Sequence, residues 1–564
     1  MMLQCPKQLH KIYKFQRGGR LFIADLERCQ VIEIDDLTWQ ILERCATSTS
    51  DSIIEELGRY YPKEEIQSVL ERLAELEEAG LLFRSEAEFE IIRSSKRPRY
   101  LCPNPRTFLP DIRHAAGGHP IALHYLIKAL GAFYADVDIC HSKSETLAKG
   151  IYRVPFYTGE PAFFSHLLRG DYQGIFLSSS EDTFMIPFLR FLPIPVVVPL
   201  YTLRGHSGDL MNRVFLWYSA LRNCDAFVVP TNSVKSFYTQ YLMDGSCFYV
   251  SHYGVDHELF RPMDKRKAKR KVAQMLGDER IMKKPIVGFL SRLQPEKGGG
   301  TYLQIARMIP DALFVAVAPT LMFYEHVSLP DNFIYAGPQP RENLPLFFNA
   351  FDIHCFPSVV GEETFGMVAL EAMACGTPVV ASHFDGIPEV VGDTGVLVPA
   401  ETYSDEMGSI AGYVSAEEMA KAIRELLDNP ERRLRLGEMA HRRALGFTWE
   451  KAARELVELF DELNRRLRYP SPQRPEVSVF FTPFLHESDG SLDYQSILAG
   501  ITEDRKRLLM FETYIQSVEE GLALALLKHH TWHEVEVILH RFCSREEAKT
   551  VLRRVRQFLQ TLSV

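Results

Sequence analysis

The chain has 564 residues, 46% hydrophobic and 24% charged, with 64 Lys plus Arg against 73 Asp plus Glu for a formal charge of −9. That composition excludes a disordered or fibrous protein, and the acidic balance speaks against a general nucleic-acid binder. At about 150 residues per domain, the length calls for three or four domains. The uncharged apolar stretch Phe191–Leu203 has 13 residues and is broken by Pro193, Pro195 and Pro199, short of the ~20 that cross a bilayer. Lys7, Lys11 and Lys14 fall where a signal peptide would need an apolar run, so none is expected. Ten cysteines stand singly from Cys5 to Cys543, with no C-x-x-C. They read as reduced thiols of a cytoplasmic protein, not as disulfides or a metal site.

Residues 1–92 read as three short strands, His10–Phe15, Arg20–Ala24 and Cys29–Ile34, followed by three helices. The third, Lys63–Ala79, carries Ile66, Val69, Leu70, Leu73 and Leu76 on one face and stops at Gly80. This is a small α+β, winged-helix-like plan. Six Glu against Lys63 and Arg72 give the third helix a charge of −4, which repels DNA phosphates. Two proline-rich stretches, Arg93–Arg106 and Leu467–Val477, read as linkers because proline removes backbone donors and stiffens the chain.

Between the linkers, short apolar runs alternate with amphipathic helical periods, the pattern of parallel α/β layers. One set of strands is expected at Asp136–Cys140, Gly174–Ser178, Ile194–Leu200, Asp225–Val229 and Cys247–Ser251. A second is expected at Pro285–Leu290, Ala312–Val317, Phe333–Ala336, Ile353–Phe356 and Pro378–Ala381. Two sets of five predict two facing Rossmann-like domains, residues 100–262 and 263–466, with ligands at the carboxyl ends of the strands.

Two segments of the second half carry chemistry. After Ile353–Phe356, a helix from about Phe365 to Cys375 is apolar on all sides and ends at Gly376. A helix apolar all round is buried, so Glu371 in its middle is a carboxylate taken out of water. It needs a hydrogen-bonding partner there, either a neighbouring backbone group or arginine, or the hydroxyls of a ligand. Glu363 precedes the first turn beside Gly366, where free N–H groups favour an anion. The second segment, G-F-L-S-R-L-Q-P-E-K-G-G-G from Gly288 to Gly300, places Arg292 and Lys297 on a loop at a strand end. Two cations with exposed amides suit a diphosphate, although a solvated surface loop is the ordinary fate of such residues. The G-x-x-x-x-G-K-[ST] spacing of a Walker loop is absent.

Taken together, S-H-Y-G-V-D-H-E-L-F-R-P at Ser251–Pro262, S-R-L-Q-P-E-K-G, the E-x(7)-E of Glu363 and Glu371, C-G-T-P-V-V-A-S-H-F-D-G-I-P-E-V-V up to Val391, and Phe447-Thr448-Trp449 resemble the retaining glycosyltransferases of family four, which have the GT-B fold. The resemblance implies a nucleotide-sugar donor, UDP- or GDP-type, in the cleft between the two domains. It places Arg292 and Lys297 on the diphosphate, Glu371 on the ribose hydroxyls, and Glu363 with the Phe365–Gly366 backbone on the transferred hexosyl or N-acetylhexosaminyl group. Glu363, Arg292 and Lys297 become the candidate catalytic residues. Gly117-Gly118 resembles the family's glycine-rich loop. Arg204 stands where many members carry a histidine, with His206 two residues on as a substitute, and Asp385 stands where a glycine is common. No D-x-D-type cluster ends a strand, so neither metal nor cofactor is expected, the nucleotide-sugar being a substrate.

The N-terminal piece resembles the PqqD-like peptide-binding domains called RiPP recognition elements, which implies a leader peptide held beside Cys29–Asp35 and Lys63–Ala79. Residues 478–564 read as helical, with capping boxes Thr531-x-x-Glu534 and Ser544-x-x-Glu547. Aligned without gaps, Leu57–Leu73 and Leu539–Val555 share seven of seventeen residues, as a diverged winged-helix repeat or as a coincidence of helix composition. The whole predicts a cytoplasmic retaining glycosyltransferase acting on a peptide or protein, without nucleic-acid or integral membrane partners. The alternatives are a glycan or lipid acceptor, and a non-catalytic peptide-binding scaffold.

Overall fold

The computed structural model describes residues 3, 5, 12–17, 20–25, 30–45, 47–78, 97–102, 118–140, 149–154, 172–177, 194–200, 218, 221, 224–240, 245–324, 326–360, 363–404, 410–468, 517–527, 530–541 and 543–562. The N-terminal unit begins with strands β1 (Ile12–Arg17), β2 (Arg20–Asp25) and β3 (Gln30–Ile34), an antiparallel meander in the order β1-β2-β3. Helices α1 (Asp36–Arg44), α2 (Ser50–Leu57) and α3 (Lys63–Glu78) follow. Asp35 and Thr49 cap α1 and α2 by accepting the Thr38 and Ser52 N–H groups, which satisfies donors that a helix start leaves open. Ile41, Leu42, Ile53, Leu57, Ile66 and Leu70 close a small core of their own.

The first large sheet contains β4 (Arg99–Cys102), β5 (Asp136–Cys140), β6 (Ile151–Val154), β7 (Gly174–Phe176), β8 (Val196–Pro199), β9 (Ala226–Val229) and β10 (Phe248–Val250). Its order is β10-β9-β8-β7-β4-β5-β6, with parallel pairings throughout. Helices α4 (Gly118–Ala129) and α5 (Asn232–Thr239) belong to this half. β4 corrects the linker reading of Arg93–Arg106. Tyr100, Leu101 and Cys102 are buried at the centre of the sheet, and Arg99 pairs with buried Asp138 at 2.8 Å. Three apolar residues between Pro98 and Pro103 are too few to register as a strand in the sequence; neighbours on both sides stabilise them. β6 is likewise additional to the five expected strands.

The second half runs through α6 (Lys265–Leu276), β11 (Ile286–Leu290), α7 (Gly299–Met308), β12 (Leu313–Val317), β13 (Phe333–Gly337), α8 (Leu344–Ala350), β14 (Ile353–Phe356) and α9 (Met367–Ala374). It continues through β15 (Val379–His383), α10 (Ile387–Val391), β16 (Val396–Ser404), β17 (Ile410–Val414), α11 (Ala416–Asp428), α12 (Pro430–Ala444) and α13 (Trp449–Arg468). The sheet order is β13-β12-β11-β14-β15-β16-β17, parallel except for the β16–β17 hairpin. That hairpin extends the five expected strands to seven. Glu401 and Thr402 of β16 are polar and exposed and pair with the edge strand β17.

α13 leaves the second domain and packs on the first. Phe460 stacks on Tyr100 of β4 at 4.7 Å, over Gly174, where a Cβ would collide with its ring. Trp449 stacks on Tyr125 of α4 at 5.7 Å. A second bridge joins the start of α5 to the second domain: the Thr231 hydroxyl donates to the Thr364 carbonyl at 2.9 Å, and Asn232 donates twice to Glu389, each at 2.9 Å. The C-terminal unit comprises α14 (Val518–Leu527), α15 (Trp532–Leu539) and α16 (Arg545–Leu562). Among the described residues no helix is long and apolar enough to cross a membrane.

Glu389 is an ionisable group in this bridge. Partial burial alone would raise its carboxyl, but hydrogen bonds from His252 (2.7 Å) and Asn232 outweigh burial and hold it below its ordinary value. A depressed carboxylate contributes stability above its unfolded-state value, and that contribution is lost as pH falls through the folded one. Thermal melts of wild type and Glu389→Gln across the acidic range should therefore differ most near neutrality and converge as pH falls.

Candidate functional site

In an open parallel sheet the crevice for a ligand opens where strand order reverses. In the second sheet that point lies between β11 and β14, which pair through Val287–Ile353 and Gly288–His354. The loop leaving β11 carries Arg292 and Lys297 and turns back at Gly298, whose φ of +79° and approach to the Pro357 carbonyl leave no room for a Cβ. The loop leaving β14 carries Ser358 and Glu363 and turns into α9 at Gly366, with φ +89°. The helix expected from Phe365 thus begins at Met367, because the left-handed Gly366 is its cap. α7 and α9 both start here, so two helix N-termini converge on the crevice and favour an anion.

The sequence-selected residues fall into two pairs. Lys297 Nζ donates to Glu363 Oε2 at 2.8 Å, and the Ser358 hydroxyl donates to the same oxygen at 3.2 Å. The Lys297 and Glu363 side chains are 10% and 14% exposed. Glu371, on α9, is held differently: Arg341 Nη2 donates to Glu371 Oε1 at 2.8 Å, with side chains 8% and 5% exposed. Arg341 lies between the rings of Tyr125 and Phe260, 5.6 and 5.0 Å from their centroids, and the Tyr125 hydroxyl donates to Asp256 at 2.9 Å. Burial pushes the Glu371 carboxyl up against the pull of Arg341. Of the partners open to this carboxylate, the structure supplies an arginine.

Arg292 is exposed and makes no ion pair among the described residues. The Phe365 ring is buried against Tyr253 at 4.8 Å, so only its backbone is placed to meet a ligand. Gly118 opens α4. Gly117 and His206 lie outside the described residues. Asp385, singled out where a glycine is common, has a φ of +49° and is the one non-glycine residue among those described with positive φ. Its carboxylate accepts from Ser233 of α5 at 3.1 Å.

Sequence reasoning missed Arg341 and Ser358. Arg341, in P-Q-P-R-E-N-L-P, resembles any solvated residue at a helix start; its burial comes from α4, distant in sequence. Ser358 stands two residues past the end of β14, and strand-end position was the only available signal.

With no competing anion, Lys297 and Glu363 neutralise each other. A diphosphate offers Lys297 a stronger partner, and its arrival would leave Glu363 an acceptor without its cation, facing whatever the diphosphate carries. Exposed Arg292 adds a second cation.

Residues 275–443, which contain Arg292, Lys297, Arg341, Glu363 and Glu371, match the family described as Glycosyl transferases group 1. The chain is 32% identical over 239 residues to the D-inositol 3-phosphate glycosyltransferase of Mycobacteroides abscessus, covering 40% of this chain and 48% of that protein. The same-named protein of Stackebrandtia nassauensis is 30% identical over 278 residues, covering 45% and 57%. The chain thus spans about half the length of the curated relatives it matches. Among solved structures it is similar to sucrose-phosphate synthase from Thermosynechococcus elongatus, with a TM-score of 0.53 at 21% identity over 65% of this chain and 99% of the other. Anabaena HepE, solved in complex with UDP and glucose, gives a TM-score of 0.51 at 16% identity over 65% and 99%. The body of the chain therefore has the two-sheet GT-B fold, and its second half carries a glycosyl transferases group 1 domain.

Proposed function

We propose that this protein is a retaining glycosyltransferase of the cytosol that moves a hexosyl or N-acetylhexosaminyl group from a UDP- or GDP-type nucleotide sugar to a peptide or protein held by the N-terminal unit. The observation that carries the transferase reading is the meeting of Lys297 and Glu363 at the reversal point between β11 and β14, beside two helix N-termini. In this reading Arg292 and Lys297 bind the donor diphosphate, and Glu371 takes the ribose hydroxyls, sharing its carboxylate with Arg341. The resemblance adds Gly117, Gly118 and His206 to the donor-binding residues, of which Gly117 and His206 lie outside the described residues. Breaking the anomeric C–O bond places negative charge on the departing diphosphate, which Arg292, Lys297 and the helix ends stabilise. Positive character grows on the sugar, and Glu363 with the Phe365–Gly366 backbone faces it. The acceptor's nucleophilic atom bonds to the anomeric carbon on the same face, and its proton passes to the leaving phosphate. The two cations supply the charge that a metal would, so the reaction proceeds without one.

Support for a peptide acceptor is the edge strand β3, paired on one side with β2 and followed directly by the helices of the unit; an added strand would satisfy its other side. A second reading has its own support. The curated relatives are named for D-inositol 3-phosphate, and sucrose-phosphate synthase shares the fold, which favours a small polyol or glycan acceptor.

The readings separate by experiment. Glu363→Ala should lower turnover about 10²–10³-fold with little change in donor affinity, because its contact strengthens as the bond breaks; unchanged donor hydrolysis in a folded variant contradicts the assignment. Arg292→Ala should weaken donor binding without altering the melting temperature, since its side chain is exposed. Glu371→Ala should weaken donor binding and also destabilise the fold by about 3–5 kcal/mol in urea titrations, because it strands a buried arginine. EDTA should leave activity intact; a loss restored by Mg²⁺ or Mn²⁺ refutes the metal-free mechanism. Removing residues 1–96 should spare donor hydrolysis but sharply raise KM for a peptide, whereas unchanged kcat/KM on the native acceptor moves the assignment to the polyol or glycan.

A further inference from the structure

α6 departs from the charge balance of the chain. Its twelve residues, K-R-K-A-K-R-K-V-A-Q-M-L, carry six cations and no carboxylate, in a protein of net charge −9. Ala268, Val272 and Ala273 are buried and set its inward face. Lys265 and Lys269 reach Asp352 at 3.2 and 2.7 Å, and the same carboxylate accepts the Ile286 N–H at 2.9 Å. Two of the six cations thus fasten the helix at the amino ends of β11 and β14. Arg266, Lys267, Arg270 and Lys271 do none of this. They are exposed, and among the described residues they make no ion pair.

Arg266 and Arg270, and Lys267 and Lys271, each stand one turn apart, a spacing at which like charges weaken a helix. The packing of the domain gains nothing from these four, so their use lies outside it. α12 adds to the same charge. It lies beside the start of α6, since a Cβ on Gly376 would meet both Pro262 and the Gly437 carbonyl. It has five Arg against Glu431 and Glu438, a charge of +3. Its Arg435 and Arg442 are exposed and make no ion pair among the described residues. Apolar side chains stand among these cations. Met263, just before α6, and Met275, in its last turn, are 41% and 42% exposed, and Leu434 of α12 is 67% exposed.

We propose that α6, with the neighbouring α12, is a peripheral docking surface for an anionic lipid bilayer, the cations lying on headgroup phosphates and Met263, Met275 and Leu434 entering between the headgroups. A nucleic acid would use the same cations but not the apolar side chains. Neither helix has a Phe, Tyr or Trp on which a base could stack. A bilayer takes both kinds of group, and electrostatic attraction and buried apolar area add in binding to it. α6 is fastened at the amino ends of the strands, whereas Lys297 and Glu363 meet beyond their carboxyl ends, so a docked chain keeps that crevice open to solution.

Co-sedimentation of the full chain with phosphatidylcholine vesicles, with and without about 30% phosphatidylserine, tests this. At about 50 mM NaCl the anionic vesicles should bind the protein about tenfold better than the neutral ones, and near 500 mM that advantage should fall to about twofold or less. Arg270→Glu combined with Lys271→Glu should weaken binding about tenfold or more. Met263→Gln combined with Met275→Gln should weaken it about threefold and leave the salt dependence unchanged. All four side chains are exposed, so the melting temperatures of the variants should match wild type. Equal binding to neutral and anionic vesicles, or binding indifferent to the charge reversals or to the methionine changes, overturns the proposal. So does a chain that binds duplex RNA at low salt and leaves the vesicles. None of these measurements involves donor or acceptor, so they stand apart from the transferase reading.

Discussion

Lys297 and Glu363, 66 residues apart, form an ion pair at 2.8 Å because β11 and β14 are neighbours in the sheet. Strand order reverses at that pair, so the loops from β11 and β14 diverge to opposite faces and leave a crevice between them. Everything else in the site depends on this adjacency. The left-handed Gly298 lets the β11 loop lie against the Pro357 carbonyl, which brings Lys297 over the end of β14. The left-handed Gly366 turns the β14 loop into α9 and fixes where Glu363 stands relative to Glu371. A side chain at Gly298 would collide with the Pro357 carbonyl, and one at Gly366 would have to adopt a left-handed backbone that favours glycine.

The two ion pairs of the second domain have different physical roles. Both are largely removed from water, and in each the loss of one partner would strand a buried charge. Lys297 and Glu363 sit at strand ends beside helix N-termini, where an anion can replace the carboxylate without exposing the ammonium. Arg341 is instead enclosed by Tyr125, Phe260 and Glu371. It belongs as much to the packing of α4 against the second domain as to any ligand. The first pair can exchange partners; the second can only share one.

Much of this architecture was legible in the sequence, for identifiable reasons. Apolar runs bounded by turns marked ten strands, and all ten occur, because a parallel strand buried on both faces is almost wholly apolar. The E-x(7)-E and R-L-Q-P-E-K segments stood out because a carboxylate in an apolar helix needs a partner and because their order resembles a known family. Other features were not, β6 and Ser358 among them. β4 is a short apolar run between two prolines, stabilised by its neighbours and by Phe460. β16 breaks its apolar run with Pro399, Glu401 and Thr402, and β17 is a short edge strand with Gly412 at its middle. Arg341 owes its burial to a helix more than two hundred residues away. Asp385 differs in kind: the sequence identified the position as one expecting glycine, and the structure gives the reason, a φ of +49°. Ser233, from the other domain, holds its carboxylate, so the strained residue is also an interdomain contact.

That contact belongs to a wider pattern in how the domains are joined. The start of α5 reaches the β14 and β15 loops through Thr231, Asn232 and Ser233. Thr364, whose carbonyl accepts from Thr231, is the residue immediately after Glu363. Opening the cleft at this point therefore pulls on the same loop that positions the Lys297–Glu363 pair. α13 ties the opposite end, with Phe460 and Trp449 stacked on β4 and α4. α13 is held by large buried aromatic contacts, whereas α5 is held by a buried hydrogen bond from Thr231 to Thr364 and by bonds from Asn232 and Ser233 to groups nearer the surface. The aromatic side is the stronger, so relative motion of the domains should pivot near α13 and open at α5. Such a motion acts on the Lys297–Glu363 pair through Thr364, coupling cleft closure to the Glu363 carboxylate.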